Sequence, residues 1–142
     1  MKDTNKILNQ KSFSEIMKEI MVEKYGETIV NMGENPENYG PLDCWNGYTS
    51  YTGACGDTME IWLNIIEGEI VNIGFLTNGC TCTRATGSFL TEKVKNKKIQ
   101  DAIMITPLQI DKELGGLPED HKHCASLAKN TLIKAILNYK GD

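Results

Sequence analysis

The chain is 142 residues long, with 40% hydrophobic and 24% charged residues, a formal net charge of −4 and a pI near 5.2. That length suits one domain with a real core. The acidic balance, with no basic stretch to offset it, argues against a nucleic-acid surface, and no run approaches the roughly 20 apolar residues that span a bilayer.

Met1–Lys6 leads into a polar segment with no apolar signal core. Five cysteines, at positions 44, 55, 80, 82 and 124, are many for such a chain. Their number is odd and no export signal precedes them, so the expectation is a cytosolic protein whose thiols bind metal or react. Neither Cys-x-x-Cys nor a zinc-finger spacing occurs, so a closed structural zinc site is poorly supported.

In chain order, Ser12 followed by Glu15 has the form of a capping box. Phe13, Ile16, Met17, Ile20 and Met21 recur at helical spacing. The pattern runs on through Tyr25, Ile29 and Val30 to Gly33, which predicts a helix packed on the domain or on a partner. Asn35–Pro41 is turn chemistry. Cys44, at the end of that loop, is read as a bystander. Trp45, Tyr48, Tyr51 and Trp62 are expected mostly in core or strand packing. Tyr48–Thr52 predicts one strand. Alternation through Met59, Ile61, Leu63 and Ile65, a turn at Glu67-Gly68, and Ile70, Ile73 and Phe75 predict a β-hairpin over 58–75.

Ala85, Phe89, Leu90 and Val94 mark the next helix, and Ile99–Met104 a short one. Pro107 opens another, which Gly115-Gly116 closes. The last is expected from about Leu117–Asp120 to Tyr139, with Ala125, Ala128, Leu132, Ile136 and Tyr139 as its buried stripe. The fold class is α+β, a small antiparallel three-stranded sheet packed with several helices.

Chemistry concentrates at three places. In Gly53-Ala54-Cys55-Gly56-Asp57 a thiol stands between small, flexible residues, where a bulky partner can approach the main chain. Asp57 adds a harder ligand that binds a soft metal centre less firmly. Cys80 follows Gly79 at a helix N-terminus, where the helix dipole favours thiolate. Cys124 lies beside His123 and close to His121, and these are the two histidines of the chain. Cys55, Asp57, Cys80 and Cys124 together could hold a [2Fe–2S] cluster with one exchangeable ligand, His123 standing in reserve. The pattern says metal or sulfur site more firmly than it says which. As an enzyme, Cys124 and His123 make a poor nucleophile–base pair, because adjacent helical residues point about 100° apart.

These residues resemble the iron–sulfur cluster assembly scaffolds of the IscU type, equivalent to the N-terminal domain of NifU. The resemblance is carried by Tyr25-x-Glu27-x-Ile29-Val30, Asn35-Pro36-x-Asn38, Gly53-x-Cys55-Gly56-Asp57 and Gly79-Cys80. It continues through Ala85-x-Gly87-Ser88, Gly115-Gly116-Leu117-Pro118 and His123-Cys124-x-x-Leu127-Ala128. It implies a scaffold domain over 25–142 behind an N-terminal helical extension over 1–24, which is either an added element or a homodimer contact. It further implies a carrier rather than an enzyme, on which a cysteine desulfurase delivers sulfur, iron joins it, and a transient [2Fe–2S] cluster is built and passed to apo-proteins. The implied ligands are Cys55, Asp57, Cys80 and Cys124, with His123 as substitute and Cys124 as the persulfide acceptor. The alternative is a sulfurtransferase that holds zinc at the same ligands and relays persulfide.

The chain departs from the pattern at Cys82, where a small residue other than cysteine is usual, and at Arg84, where an apolar one is. Leu117-Pro118-Glu119-Asp120-His121 replaces the Leu-Pro-Pro-Val-Lys chaperone signature, so a dedicated transfer chaperone is not expected.

Overall fold

The computed structural model describes residues 11–141, so the first ten residues of the expected extension lie outside the described residues. Helices α1 (Phe13–Tyr25) and α2 (Glu27–Glu34) precede strands β1 (Gly47–Thr52), β2 (Thr58–Ile66) and β3 (Glu69–Thr77). Then come α3 (Thr81–Val94), α4 (Ile99–Ala102), α5 (Pro107–Glu113), a 3-10 turn (Glu119–His121) and α6 (His123–Leu137). The fold is the expected α+β arrangement.

The sheet has the order β1-β2-β3 and is antiparallel throughout. Pairing runs from Gly47↔Leu63 to Thr52↔Thr58 and from Met59↔Thr77 to Ile66↔Glu69, with an irregularity at Asn64/Ile65. Side chains alternate between faces along a strand, which sends Met59, Ile61, Leu63 and Ile65 inward, all buried. Helices α3 and α6 pack against the strands and each other. Leu90 and Val94 from α3, and Ala128 and Leu132 from α6, complete the core. Each large aliphatic side chain buried there stabilises the fold by roughly 1.5–3 kcal/mol.

One expectation needs correction. The N-terminal periodicity is broken into two helices at Gly26, whose φ of 91° ends α1 in a conformation that suits glycine. Gly33, expected to stop the run, lies buried inside α2. Ser12 does cap α1, its Oγ accepting the Glu15 N–H, yet no residue of α1 is fully buried and Phe13, Ile16, Met17 and Ile20 stay exposed. Ile29 and Val30 of α2 reach zero exposure. The core therefore takes its N-terminal helical packing from α2, with Tyr25 at its margin.

The aromatic residues pack on the strands, as expected. Trp45, Tyr48 and Trp62 form a row, with ring centroids 5.8 and 5.2 Å apart. Tyr48 and Trp62 are cross-strand partners on the face opposite Met59, Ile61 and Leu63; Trp62 is buried there, and Trp45, at the end of the row, is 52% exposed. The Tyr48 hydroxyl donates to Glu60 at 2.6 Å.

Boundaries differ in detail. The short helix α4 ends at Ala102, and the Leu117–Lys122 segment makes a 3-10 turn before α6 begins at His123. No helix among the described residues is long and apolar enough to cross a membrane.

Candidate metal centre

The β1–β2 connection places the first two candidate ligands. The Gly53 N–H donates to the Asp57 carbonyl at 2.9 Å and the Gly56 N–H to the Gly53 carbonyl at 3.0 Å, closing the tip on itself. At its neck the Thr52 and Thr58 hydroxyls lie 2.7 Å apart. Cys55 is left exposed at this tip, while the Asp57 carboxylate turns back toward α3.

Cys80 is the N-cap of α3. Gly79 before it lies so close to Thr83 that a Cβ there would stand 2.5 Å from the Thr83 hydroxyl oxygen. Arg84 holds the same turn, its guanidinium donating to the carbonyls of Gly33 (2.8 Å) and Gly79 (3.2 Å) and to the Thr81 hydroxyl (3.3 Å). An arginine in this position therefore ties the Cys80 loop to α2.

Cys124 arrives in the first turn of α6 and is fully buried. The approach to α6 is fixed by Asp111 of α5. Its carboxylate accepts the Leu117 N–H at 2.6 Å and the Lys122 ammonium at 3.1 Å.

These elements meet at Thr83. Its hydroxyl lies 3.4 Å from an Asp57 oxygen, 3.4 Å from the Cys124 sulfur and 3.9 Å from the Cys80 sulfur. Cys55, Asp57 and His123 form an adjoining group whose ligand atoms all lie within 4.8 Å of one another. The structure thus brings all five candidate residues to one edge of the domain. His123 Nε2 is 3.9 Å from the Cys124 sulfur, closer than the helical angle alone suggests. Cys44 is exposed and belongs to neither potential metal-holding group found among the described residues.

Electrostatics divide the thiols. The Cys80 pKa is driven far down, chiefly by the Cys124 thiol and then by the Cys82 thiol donating to its sulfur, with the Thr83 and Cys82 backbone N–H groups adding to the effect against burial. Cys124 and Cys82 move the opposite way, since each donates to Cys80 and each is buried. The shifts favour thiolate at Cys80, the solvent-exposed member, over Cys82 and Cys124. Cys124, which the resemblance implies as persulfide acceptor, is buried.

Two residues at this edge escaped sequence reasoning. Thr83 reads as an ordinary helical threonine, although its i+3 offset from the N-cap Cys80 was available as a signal. In the sequence His121 stands out only as a histidine near Cys124 and as the end of an altered chaperone signature. Its Nδ1 lies 3.7 Å from the Cys80 sulfur.

The NifU-like N terminal domain family matches residues 24–142 of this chain. The chain belongs to that family. It is 36% identical over 116 residues to the iron-sulfur cluster assembly scaffold protein IscU 1 of Archaeoglobus fulgidus, covering 81% of this chain and 76% of that one. To the iron-sulfur cluster assembly scaffold protein IscU of Aquifex aeolicus it is 40% identical over 119 residues, covering 82% and 76%. The fold is also that of a putative iron-sulfur cluster assembly scaffold protein for the SUF system from Fervidobacterium islandicum. That crystal structure matches with a TM-score of 0.65 at 18% identity, over 81% of this chain and 98% of the other.

Proposed function

We propose that this chain is a scaffold on which an iron–sulfur cluster is assembled and from which it is passed on. The observation that carries this reading is the convergence of Asp57, Cys80 and Cys124 on the Thr83 hydroxyl, with Cys55 and His123 beside them. Thiolates suit iron–sulfur clusters, and a carboxylate among them is the harder, more exchangeable donor. Cys55, Asp57, Cys80 and Cys124 are the ligands of a [2Fe–2S] cargo, and His123 is placed to substitute. Sulfur comes from a cysteine desulfurase and the recipients are apo iron–sulfur proteins. The Archaeoglobus and Aquifex relatives are named scaffold proteins, which supports a carrier role. The working compartment is the cytosol, where thiols stay reduced.

Anaerobic reconstitution with iron, cysteine and a desulfurase, followed by the visible spectrum and the iron-to-sulfide ratio, tests the reading. A [2Fe–2S] spectrum lost in Cys55→Ser, Cys80→Ser and Cys124→Ser supports it. A colourless protein that keeps zinc and takes up persulfide would establish a sulfur relay instead. Cys124→Ser should abolish persulfide labelling by desulfurase and cysteine. Labelling that survives in Cys124→Ser and vanishes in Cys80→Ser would move the acceptor to the exposed thiolate.

A further inference from the structure

Two side chains at this edge have no part in the ligand set just described, and they face the same sulfur. Cys82, the second residue of α3, is buried with its sulfur within 4.8 Å of the Cys80 sulfur. His121, the last residue of the 3-10 turn, directs Nδ1 to within 3.7 Å of the Cys80 sulfur. The ligand atoms of Cys80, Cys82 and His121 all lie within 4.8 Å of one another.

We propose that Cys80, Cys82 and His121 form a second metal site, one that takes a single zinc ion and competes with cluster assembly for Cys80. Size supports this. A tetrahedral zinc ion with its usual bond lengths to sulfur and nitrogen sets neighbouring donor atoms ~3.5–3.8 Å apart. The Cys80–His121 separation of 3.7 Å already meets that edge. Donor chemistry points the same way, because two thiolates and an imidazole select zinc or another soft ion over magnesium or calcium.

The surroundings of His121 are those of a metal-binding imidazole. Its other ring nitrogen, Nε2, faces the Asp120 carboxylate at 3.9 Å. Metal-bound histidines are commonly oriented by a carboxylate on that side. The Tyr25 ring stands edge-on to the imidazole, with centroids 5.7 Å apart and planes at 86°, and limits its rotation. An ion reaches the site past Cys80, which is exposed, and binding sends the Cys82 thiol proton to solvent. Three protein ligands leave a fourth position open, so the ion is exchangeable rather than structural.

Cys80 belongs to both sets. A zinc ion held by Cys80, Cys82 and His121 therefore withholds a ligand from the cluster, a consequence that rests on the scaffold reading, whereas the binding itself does not.

The test uses the full chain carrying Cys55→Ser and Cys124→Ser, which removes two cluster thiols, and cobalt(II) as an anaerobic optical probe that zinc can displace. One cobalt per chain with thiolate charge-transfer absorption is expected. Adding Cys82→Ser or His121→Ala should weaken binding by about 10-fold or more, while adding His123→Ala should leave it unchanged. His121 is partly exposed, so its variant keeps the test valid should Cys82→Ser disturb the core. No cobalt uptake, or uptake that depends on His123 and is indifferent to Cys82 and His121, overturns the proposal. In the otherwise unaltered chain, zinc loaded beforehand should slow cluster formation, and Cys82→Ser should relieve the delay; a delay that persists in that variant overturns the competition. Failure of the scaffold reading shows separately, as no cluster in the unaltered chain without zinc, and leaves the cobalt result standing.

Discussion

Thr83→Val is the most informative single change to the candidate centre. Valine keeps the shape of threonine and removes only the hydroxyl that touches Asp57, Cys80 and Cys124. Thr83 has zero exposure, so the new methyl group is kept out of water. The 3.4 Å contact to Asp57 is long for an O–H···O bond, and the 3.4 Å contact to Cys124 involves sulfur, a weak hydrogen-bonding atom, which places each at or below the weak end of the usual net range of about 0.5–1.5 kcal/mol. Global stability should therefore fall by less than about 1 kcal/mol. The effect on the centre should be larger, because losing a partner that orients ligands typically costs about 10–100-fold in metal affinity. The weakness of these contacts puts the expectation near the low end. The assay is the decay of visible absorbance when reconstituted protein is challenged with a chelator, beside guanidinium unfolding of the metal-free chain. Decay should accelerate about tenfold in Thr83→Val and stay unchanged in Thr83→Ser, which keeps the hydroxyl. An unchanged lifetime in Thr83→Val refutes the reasoning. So does a decay that merely follows a large loss of folding stability.

Three further outcomes follow from the same geometry. If Asp57 is the exchangeable ligand, Asp57→Ala should hold its cluster longer in transfer to an apo-ferredoxin; equal or faster loss removes that role. Arg84→Met deletes the charged donor to Gly33, Gly79 and Thr81. It should cost about 1.5–3 kcal/mol in denaturant unfolding, and a cost near zero would mean that the clamp contributes nothing. Asp111 bears on pH. Burial alone would raise its pKa, but the Leu117 N–H and the Lys122 ammonium outweigh that and hold the carboxyl below its ordinary value. A carboxylate with a depressed folded pKa contributes stability that is complete above its unfolded value of about 3.9, and the contribution disappears as pH falls through the folded value. Asp111→Asn should therefore be less stable than the unaltered chain at neutral pH, with the difference closing below about pH 4. A difference constant across that range rules out the linkage.

Much of this architecture could be read from local pattern, and the exceptions have physical causes. The β2–β3 hairpin was legible because Met59, Ile61, Leu63 and Ile65 alternate strictly before Glu67-Gly68. The start of α3 was legible because a loop glycine precedes the cysteine that caps it. The break at Gly26 was not, since a glycine within an apolar periodic run can be helical, and only its neighbours in space decide otherwise. The aromatic row followed local pattern, since Tyr48 and Trp62 lie on strands and pack on each other as a cross-strand pair; only the exposure of Trp45 at its end is decided by tertiary neighbours. At the centre, the cysteines announced their chemistry through flanking residues, but their meeting is a tertiary fact. Cys55 and Cys124 come from a hairpin tip and a distant helix start, and nothing local marks Thr83 as the point between them.

The three thiols of the proposed cluster set are not equivalent in how firmly the fold holds them. Cys124 is buried within the first turn of α6, and Cys80 caps a helix pinned by Arg84. Cys55 and Asp57 instead ride on a short loop whose internal ties are two backbone hydrogen bonds and one threonine pair. Loops with few buried contacts open at low free-energy cost, whereas helix starts packed into a core open only with much of the domain. In a scaffold that must both build and release its cargo, that asymmetry orders the ligands. On the proposed scaffold reading, the helix-borne thiols would retain the cluster while the hairpin tip lets go, which would bring the acceptor protein in from the Cys55 side. Asp57 shares that tip and is the harder donor, so in the proposed centre its bond to iron would be the first to break on both mechanical and chemical grounds.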